Sequence, residues 1–288
     1  MTEQLAAYER PIFLLMPEWQ GSPAARAMLL TDGAAHLRDD LPAAARFEVP
    51  VPAHAGDSLG TPVARLSAVL AARDAAREIL GSRTEPAITL GGDCASTLAG
   101  LERAAGADPG LAVLWFDAHP DLQHPSTSPT GAASGMALRH ALGDGAVDLA
   151  FEHPVDPSRV LLVGTREVDA EEEASLAMLD LRMLETEGTG ANLVDGIRSW
   201  LEEIGATSLY IHVDLDVLDP AEFSSVHAPV PFGLGVAALT AAIRAAMGEV
   251  RLAGAAICEF APADPEMASD DAPTVLRILA ALTSGGSR

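Results

Sequence analysis

The chain has 288 residues, 49% of them hydrophobic, and a formal net charge of −23. That is enough length and apolar material for a large core, and such acidity argues against nucleic acid and anionic membranes as partners. Two cysteines, no apolar run of ~18 residues and a polar, charged start over residues 1–10 argue against a disulfide scaffold, a membrane-spanning helix and a signal peptide, and fit a reducing cytoplasm.

Residues 11–16, PIFLLM, read as a buried first strand. A loop follows in which Trp19 reads as packing, then a helix over 24–39. Residues 46–51 form a second strand. The loop 54–61 is rich in Gly and Asp, and 62–80 has helical spacing with Leu66, Val69, Leu70, Ala76 and Leu80 on one face. Residues 86–90 form a third strand that ends at Gly91-Gly92, where missing β-carbons permit a tight turn and close backbone approach. Asp93 and Cys94 follow, then a helix over 96–105.

Residues 111–116, LAVLWF, are an unbroken apolar run, the signature of a buried strand. The chain switches at once to Asp117, Ala118, His119, Pro120 and Asp121. Three potential metal ligands thus sit where a strand leaves its sheet, the usual ligand position of open α/β folds. Carboxylate with imidazole suits manganese, zinc, nickel or iron. Residues 122–134 make a long polar loop of the kind that holds substrates, and a helix covers 135–142. Residues 159–164 are a strand, 176–187 hold a helix or a short strand, and 191–204 form an amphipathic helix.

Residues 207–213, TSLYIHV, are another strand, leading into Asp214 and Asp216, which alternation puts on one face. His212, within that strand, reads as a core histidine. An irregular loop with Pro229 and Pro231 runs to 234. A helix over 235–247, a strand over 252–257 ending in Cys258-Glu259, and a helix over 272–282 complete the chain. Strands alternating with helices imply an α/β fold with a mostly parallel sheet wrapped by helices. With no linker, repeat or composition break, residues 1–288 read as one domain.

Four stretches, GGDC at 91–94, DAHPD at 117–121, HVDLDVLDP at 212–220 and CEF at 258–260, occur in the order and approximate spacing of the ureohydrolase (arginase, agmatinase, formimidoylglutamase) superfamily. The chain resembles that family over residues 11–282, and the second and third motifs are highly specific as a pair. The resemblance implies a three-layer α-β-α sandwich and a C–N hydrolase that acts on linear amidines. It implies Asp117 and Asp214 as carboxylates shared by two ions, His119 and Asp216 completing one site, and Asp121 with residue 94 completing the other. The expected cofactor is Mn2+, one or two ions, with Zn, Fe or Ni as other candidates. A metal-bound hydroxide would attack a guanidinium carbon, and collapse would give urea and an amine. Asp121 would orient the nucleophile and pass a proton to the amine, and Glu259 would hold the planar cation. The resemblance also implies a homo-oligomer, trimer or hexamer.

The chain departs from the family pattern at the reacting end. Histidine is usual at position 94, where this chain has cysteine; Cys94 is either a soft ligand to the second ion or a buried inert thiol. The usual proton-shuttle histidine is Ser134, which has no titration near neutral pH. The family's asparagine is Gln123, and a threonine near the guanidinium is Ala228. His227, beside Ala228, and His124 are the loop histidines available as a shuttle, His227 being the stronger candidate. Ser128 and Thr130 keep hydroxyls on the carboxylate-binding loop, and Asp169 and Glu172 match acids that recognise an α-amino group. The reading is therefore hydrolysis of an arginine-like or N-hydroxylated guanidine. A catalytically silent relative that binds a metabolite or partner, and a formimino-type amidine hydrolase, are the alternatives.

Overall fold

The computed structural model describes residues 10–184 and 191–284. Eight strands, all paired in parallel, form one sheet. They are β1 (Ile12–Met16), β2 (Arg46–Glu48), β3 (Ala87–Gly91), β4 (Ala112–Phe116), β5 (Val160–Val163), β6 (Arg182–Leu184), β7 (Ser208–Asp214) and β8 (Arg251–Cys258), in the spatial order β2-β1-β3-β8-β7-β4-β5-β6. The four central strands β3, β8, β7 and β4 all end in the polar motifs. Strand β4 is buried along its whole length, as an apolar run without alternation requires of a strand covered on both faces.

Helices cover both faces. Helices α1 (Leu29–His36), α6 (Ala191–Glu203), α7 (Val236–Glu249) and α8 (Pro265–Leu282) pack against Leu114, Phe116, Ile211, Val213, Ala255 and Ile257. Helices α2 (Leu66–Leu80), α3 (Leu98–Ala107), α4 (Ala137–Ala141) and α5 (Ala170–Leu179) lie over the opposite face, which carries Val113, Trp115, Tyr210, Ala256 and Cys258. The expected α-β-α sandwich is therefore present. Among the described residues no helix is long and apolar enough to cross a membrane.

Several boundaries differ from the sequence reading. Residues 25–28 form turns, and α1 starts only at Leu29. The segment expected to hold a helix or a strand holds the end of one and the whole of another: α5 runs to Leu179 and β6 covers Arg182–Leu184. Residues 185–187 of that expectation lie outside the described residues. Helix α8 begins seven residues before the expected start. Asp264 caps it by accepting from the Glu266 and Met267 amides, Pro265 takes the first turn, and Pro273 lies inside the helix.

Candidate metal centre and active site

Each acid of the site is placed by the end of a strand and then fixed by backbone donors. Asp117 follows β4 directly. Its Oδ1 accepts from the His119 amide at 2.7 Å and its Oδ2 from the Trp115 indole at 3.1 Å. Asp214 is the last residue of β7. Its Oδ1 accepts from the Asp216 amide at 2.8 Å and its Oδ2 from the Cys94 thiol at 2.9 Å. Asp216 is not a continuation of the strand: Leu215–Val217 is a 3-10 turn that Asp214 caps. The turn, not strand alternation, brings Asp216 back to the site, where its Oδ1 accepts from the Ala118 amide at 3.1 Å.

The other half is built on β3 and β8. Gly92 lets two chain segments cross: its amide donates to the Met16 carbonyl at 2.9 Å, and its carbonyl accepts from the Glu259 amide at 2.7 Å. Neither Gly91 nor Gly92 has a positive φ, so close approach, not a left-handed turn, is what the pair provides. Asp93 is structural. It accepts from the Gly21 and Ala95 amides at 2.8 and 2.9 Å, which pins the loop after β1 and aims Cys94 at Asp214. Asp121 and Glu259 both have left-handed backbone, φ 52° and 67°. Such residues cost ~1–3 kcal/mol each and cluster at functional sites.

These side chains converge on one pocket of about 350 Å³, lined by Cys94, His119, Asp121, Asp214, Asp216 and Glu259 among others. Asp117 is fully buried, close to His119 and Asp216. Two donor groups stand out. Asp117, His119 and Asp216 offer ligand atoms within 4.8 Å of one another, as do Cys94, Asp214 and Glu259. His119 Nδ1 lies 3.0 Å from Asp216 Oδ2 and 3.5 Å from Asp117 Oδ1.

The electrostatics favour a cation here. Burial, then repulsion from neighbouring acids, pushes the carboxyls of Asp121, Asp214 and Glu259 well above their ordinary range, and Asp117 up to about 7. Burial opposes charging of His119, but hydrogen bonds and attraction from Asp117 and Asp216 outweigh it and lift the imidazole to about 12. Burial and the adjacent Asp214 hold the Cys94 thiol protonated. Asp121 Oδ2 is buried without a hydrogen-bond partner. Crowded buried carboxylates, an imidazole and a thiol are the donor set of a transition metal, so the residues fit one or two divalent ions.

The expected substrate residues divide into two groups. Gln123, Thr130, Glu172, Ser134, His227 and Ala228 line the pocket. Ser128 and Asp169 stand behind it. The Ser128 hydroxyl donates to Gln123 Oε1 at 2.8 Å, and Asp169 accepts from Gln123 Nε2 at 3.3 Å, so together they hold the Gln123 amide. Asp169 and Glu172 also form a capping box at the start of α5. Glu172 spends both oxygens on backbone, accepting from the Leu122 amide at 3.1 Å and the Asp169 amide at 3.2 Å. His227 Nε2 is buried and unpartnered at the pocket, and burial lowers its pKa. His124 is tied to Ser126 within its own loop and lies away from the pocket lining. Asp219 is structural, accepting from the Ala221 and Gly233 amides.

Sequence reasoning missed three residues here. Arg166 donates to the carbonyls of Gly164, Asp216, Val230 and Pro231 at 2.7–3.1 Å, and so ties the Asp216 turn to the loop that carries His227; a lone arginine after a strand gave no signal. Glu18 is fully buried with both carboxylate oxygens unpartnered among the described residues, and burial and Asp93 raise its pKa. His212 reads as core and is fully buried, but it reaches the site.

Three comparisons bear on this geometry. The arginase family model matches residues 24–282. An Nω-hydroxy-L-arginine amidinohydrolase of Streptomyces lavendulae is 31% identical over 273 residues, 91% of this chain and 94% of that protein. An arginase of Brucella melitensis biotype 1 is 35% identical over 161 residues, about half of each chain. The crystal structure of Entamoeba histolytica arginase in complex with L-ornithine superimposes with a TM-score of 0.79 and 22% identity, covering 96% of this chain and 99% of that one; at that identity the likeness is one of fold. With the family model spanning nearly all of it and a relative this similar along almost its whole length, the chain belongs to the arginase family and is a hydrolase of amidino or guanidino compounds.

Proposed function

We propose that the chain cleaves an N-hydroxylated or unmodified guanidine on an amino-acid side chain, releasing hydroxyurea or urea, with two divalent ions at the centre and manganese at the His119 half. The observation that carries this reading is the convergence of Cys94, His119, Asp121, Asp214, Asp216 and Glu259 on one pocket from the ends of four parallel strands, β3, β4, β7 and β8, with Asp117 buried close to His119 and Asp216. The similarity to an Nω-hydroxy-L-arginine amidinohydrolase supports the choice of substrate class.

Bound ions would supply Lewis acidity that brings the pKa of a water towards neutrality; Asp117, His119, Asp214 and Asp216 would hold one ion, and Asp121 and Cys94, with the shared aspartates, would hold the other. The remaining work falls to side chains of the pocket. Glu259, buried beside Asp214, pairs with the planar cation and sets the guanidinium carbon against the centre. Asp121 has a free, buried Oδ2, which orients the attacking water, accepts its proton and passes it to the leaving amine. His227 carries a proton between the pocket and solvent, a task Ser134 cannot perform. At the far end Gln123, Thr130 and Glu172 receive the carboxylate and amino groups, with Glu172 held at the pocket wall by the Leu122 and Asp169 amides.

The test is product analysis. Manganese-loaded protein is incubated with L-arginine, Nω-hydroxy-L-arginine, agmatine and a formimino amino acid, and urea, hydroxyurea and formamide are measured. Turnover confined to the two amino-acid guanidines, and lost in Asp216→Asn, supports the reading. Absence of urea and hydroxyurea from metal-loaded protein overturns it.

A further inference from the structure

His212 lies on β7 two residues before Asp214, so both project from the same face of the sheet. Its register partner on β4 is Trp115. The two rings stack, with centroids 3.7 Å apart and planes 15° apart. Stacking fixes the imidazole plane and leaves Nε2 4.0 Å from Asp117 Oδ2. The ring is fully buried, yet neither nitrogen has a hydrogen-bond partner. Buried polar atoms are nearly always paired, and an exception calls for an explanation. Packing on Trp115 does not supply one, because a phenylalanine would stack there with no polar atom to satisfy.

The surroundings do supply one. Ligand atoms of Cys94, Asp117, Asp121 and His212 all lie within 4.8 Å of one another, and all four residues are buried. Asp121 Oδ2 is a second orphaned atom in the same cluster. An imidazole nitrogen from β7 and a carboxylate oxygen from the loop after β4 therefore share one space with the Cys94 sulfur and no protein donor between them.

We infer that His212 is a protein ligand of the second metal ion, providing from β7 the imidazole that position 94 does not. The second site is then Cys94, Asp117, Asp121, Asp214 and His212: one sulfur, one nitrogen and three carboxylates, two of them shared with the His119 half. The inference rests on the metal-dependent reading above and alters its ligand set. It also gives the two halves different chemistry. The His119 half has only nitrogen and oxygen donors, which suit manganese. The Cys94–His212 half is softer and suits zinc or iron. Cys258 lies close enough to Cys94 and His212 to compete as a ligand; in this assignment it stays a buried thiol that pairs with the Ser96 hydroxyl.

The experiment is zinc content per chain, by mass spectrometry, for wild type, His212→Phe and Cys258→Ala after equilibration with Zn2+. His212→Phe keeps a stacking ring and removes both nitrogens. One ion fewer than wild type in His212→Phe, with Cys258→Ala unchanged, is the expected result. Equal content in wild type and His212→Phe overturns the assignment and leaves the metal-dependent reading standing, whereas a wild type that holds no ion overturns both. Loss of an ion in Cys258→Ala overturns this ligand set. Zinc-edge X-ray absorption on wild type decides the matter without any variant. Two imidazoles and one sulfur across the two ions agree with the inference; one imidazole, or two sulfurs, refutes it.

Discussion

Gly92→Ala is the sharpest test of how the site is assembled. An added Cβ would lie 1.4 Å from the Glu18 carbonyl oxygen, 2.4 Å from its carbon and 2.9 Å from its nitrogen. All three are backbone atoms, so no rotamer change relieves the clash. Restoring even a tight 3.0 Å contact to the oxygen requires a shift of about 1.6 Å (3.0 − 1.4). That shift acts on the segment that carries Cys94, and on Glu259 through the 2.7 Å bond between its amide and the Gly92 carbonyl. Overpacking commonly costs ~1–3 kcal/mol, and forced backbone movement puts this case at the upper end. For a chain of this size ~3 kcal/mol lowers the melting temperature by roughly 6–12 °C. A displacement of ~1 Å in a catalytic constellation can cost ~100-fold in rate. Calorimetry and steady-state turnover on Gly92→Ala read both quantities. A variant with wild-type melting temperature and turnover would refute the crossing of β1 and β3 loops as the element that positions Cys94 and Glu259.

Other substitutions separate the roles further. Asp216→Asn weakens the His119 half; since loss of an outer-shell partner already costs ~10–100-fold in metal affinity, at least ~100-fold weaker manganese binding is expected by titration, and unchanged affinity would contradict the ligand assignment. Arg166→Ala removes the donors that tie Asp216 to residues 230–231, and faster amide hydrogen exchange over residues 226–234 is expected at a cost of ~2 kcal/mol; unaltered exchange would show the tether to be idle. His140 is buried, and desolvation followed by the nearby Arg73 charge depresses its pKa from 6.5 to about 3. The folded chain therefore binds fewer protons than the unfolded chain between those pH values, so stability falls on acidification from pH 6.5 towards 3, by up to ~1.4 kcal/mol per unit. His140→Gln should flatten that acid limb in denaturant titrations; an acid slope equal to wild type would remove His140 as its cause.

Much of the fold was legible because burial writes itself into strand sequence. The run at 112–116 has no polar break, which only a strand covered on both faces tolerates, and the switch to acids at its end and at the end of 208–214 pointed to the site. Helix α5 was not legible by periodicity: AEEEASLAML buries only Glu172 and Ser175, so no apolar stripe exists to read. Its signal was the capping pair Asp169 and Glu172, which resemblance had directed towards substrate. Helix α8 starts seven residues before the expected start, because its cap lies at Asp264-Pro265. At the site itself, alternation placed Asp216 near Asp214 by the wrong route, since the chain had already left the strand. The left-handed backbone of Asp121 and Glu259 had no signal, because positive φ at a non-glycine depends on surrounding contacts. His212 shows the limit most clearly. Its parity put it on the face of the carboxylates, but only the stacked ring and its unpaired nitrogens distinguish it from a packed core residue.

The central claim is tested most directly by hydrolysis of Nω-hydroxy-L-arginine by metal-stripped protein before and after addition of Mn2+. The account predicts hydroxyurea and the free amine in equal amounts with metal, none after chelation, and recovery on re-addition. Product formation that persists undiminished in stripped protein, or no product from protein shown to hold its ions, would contradict it.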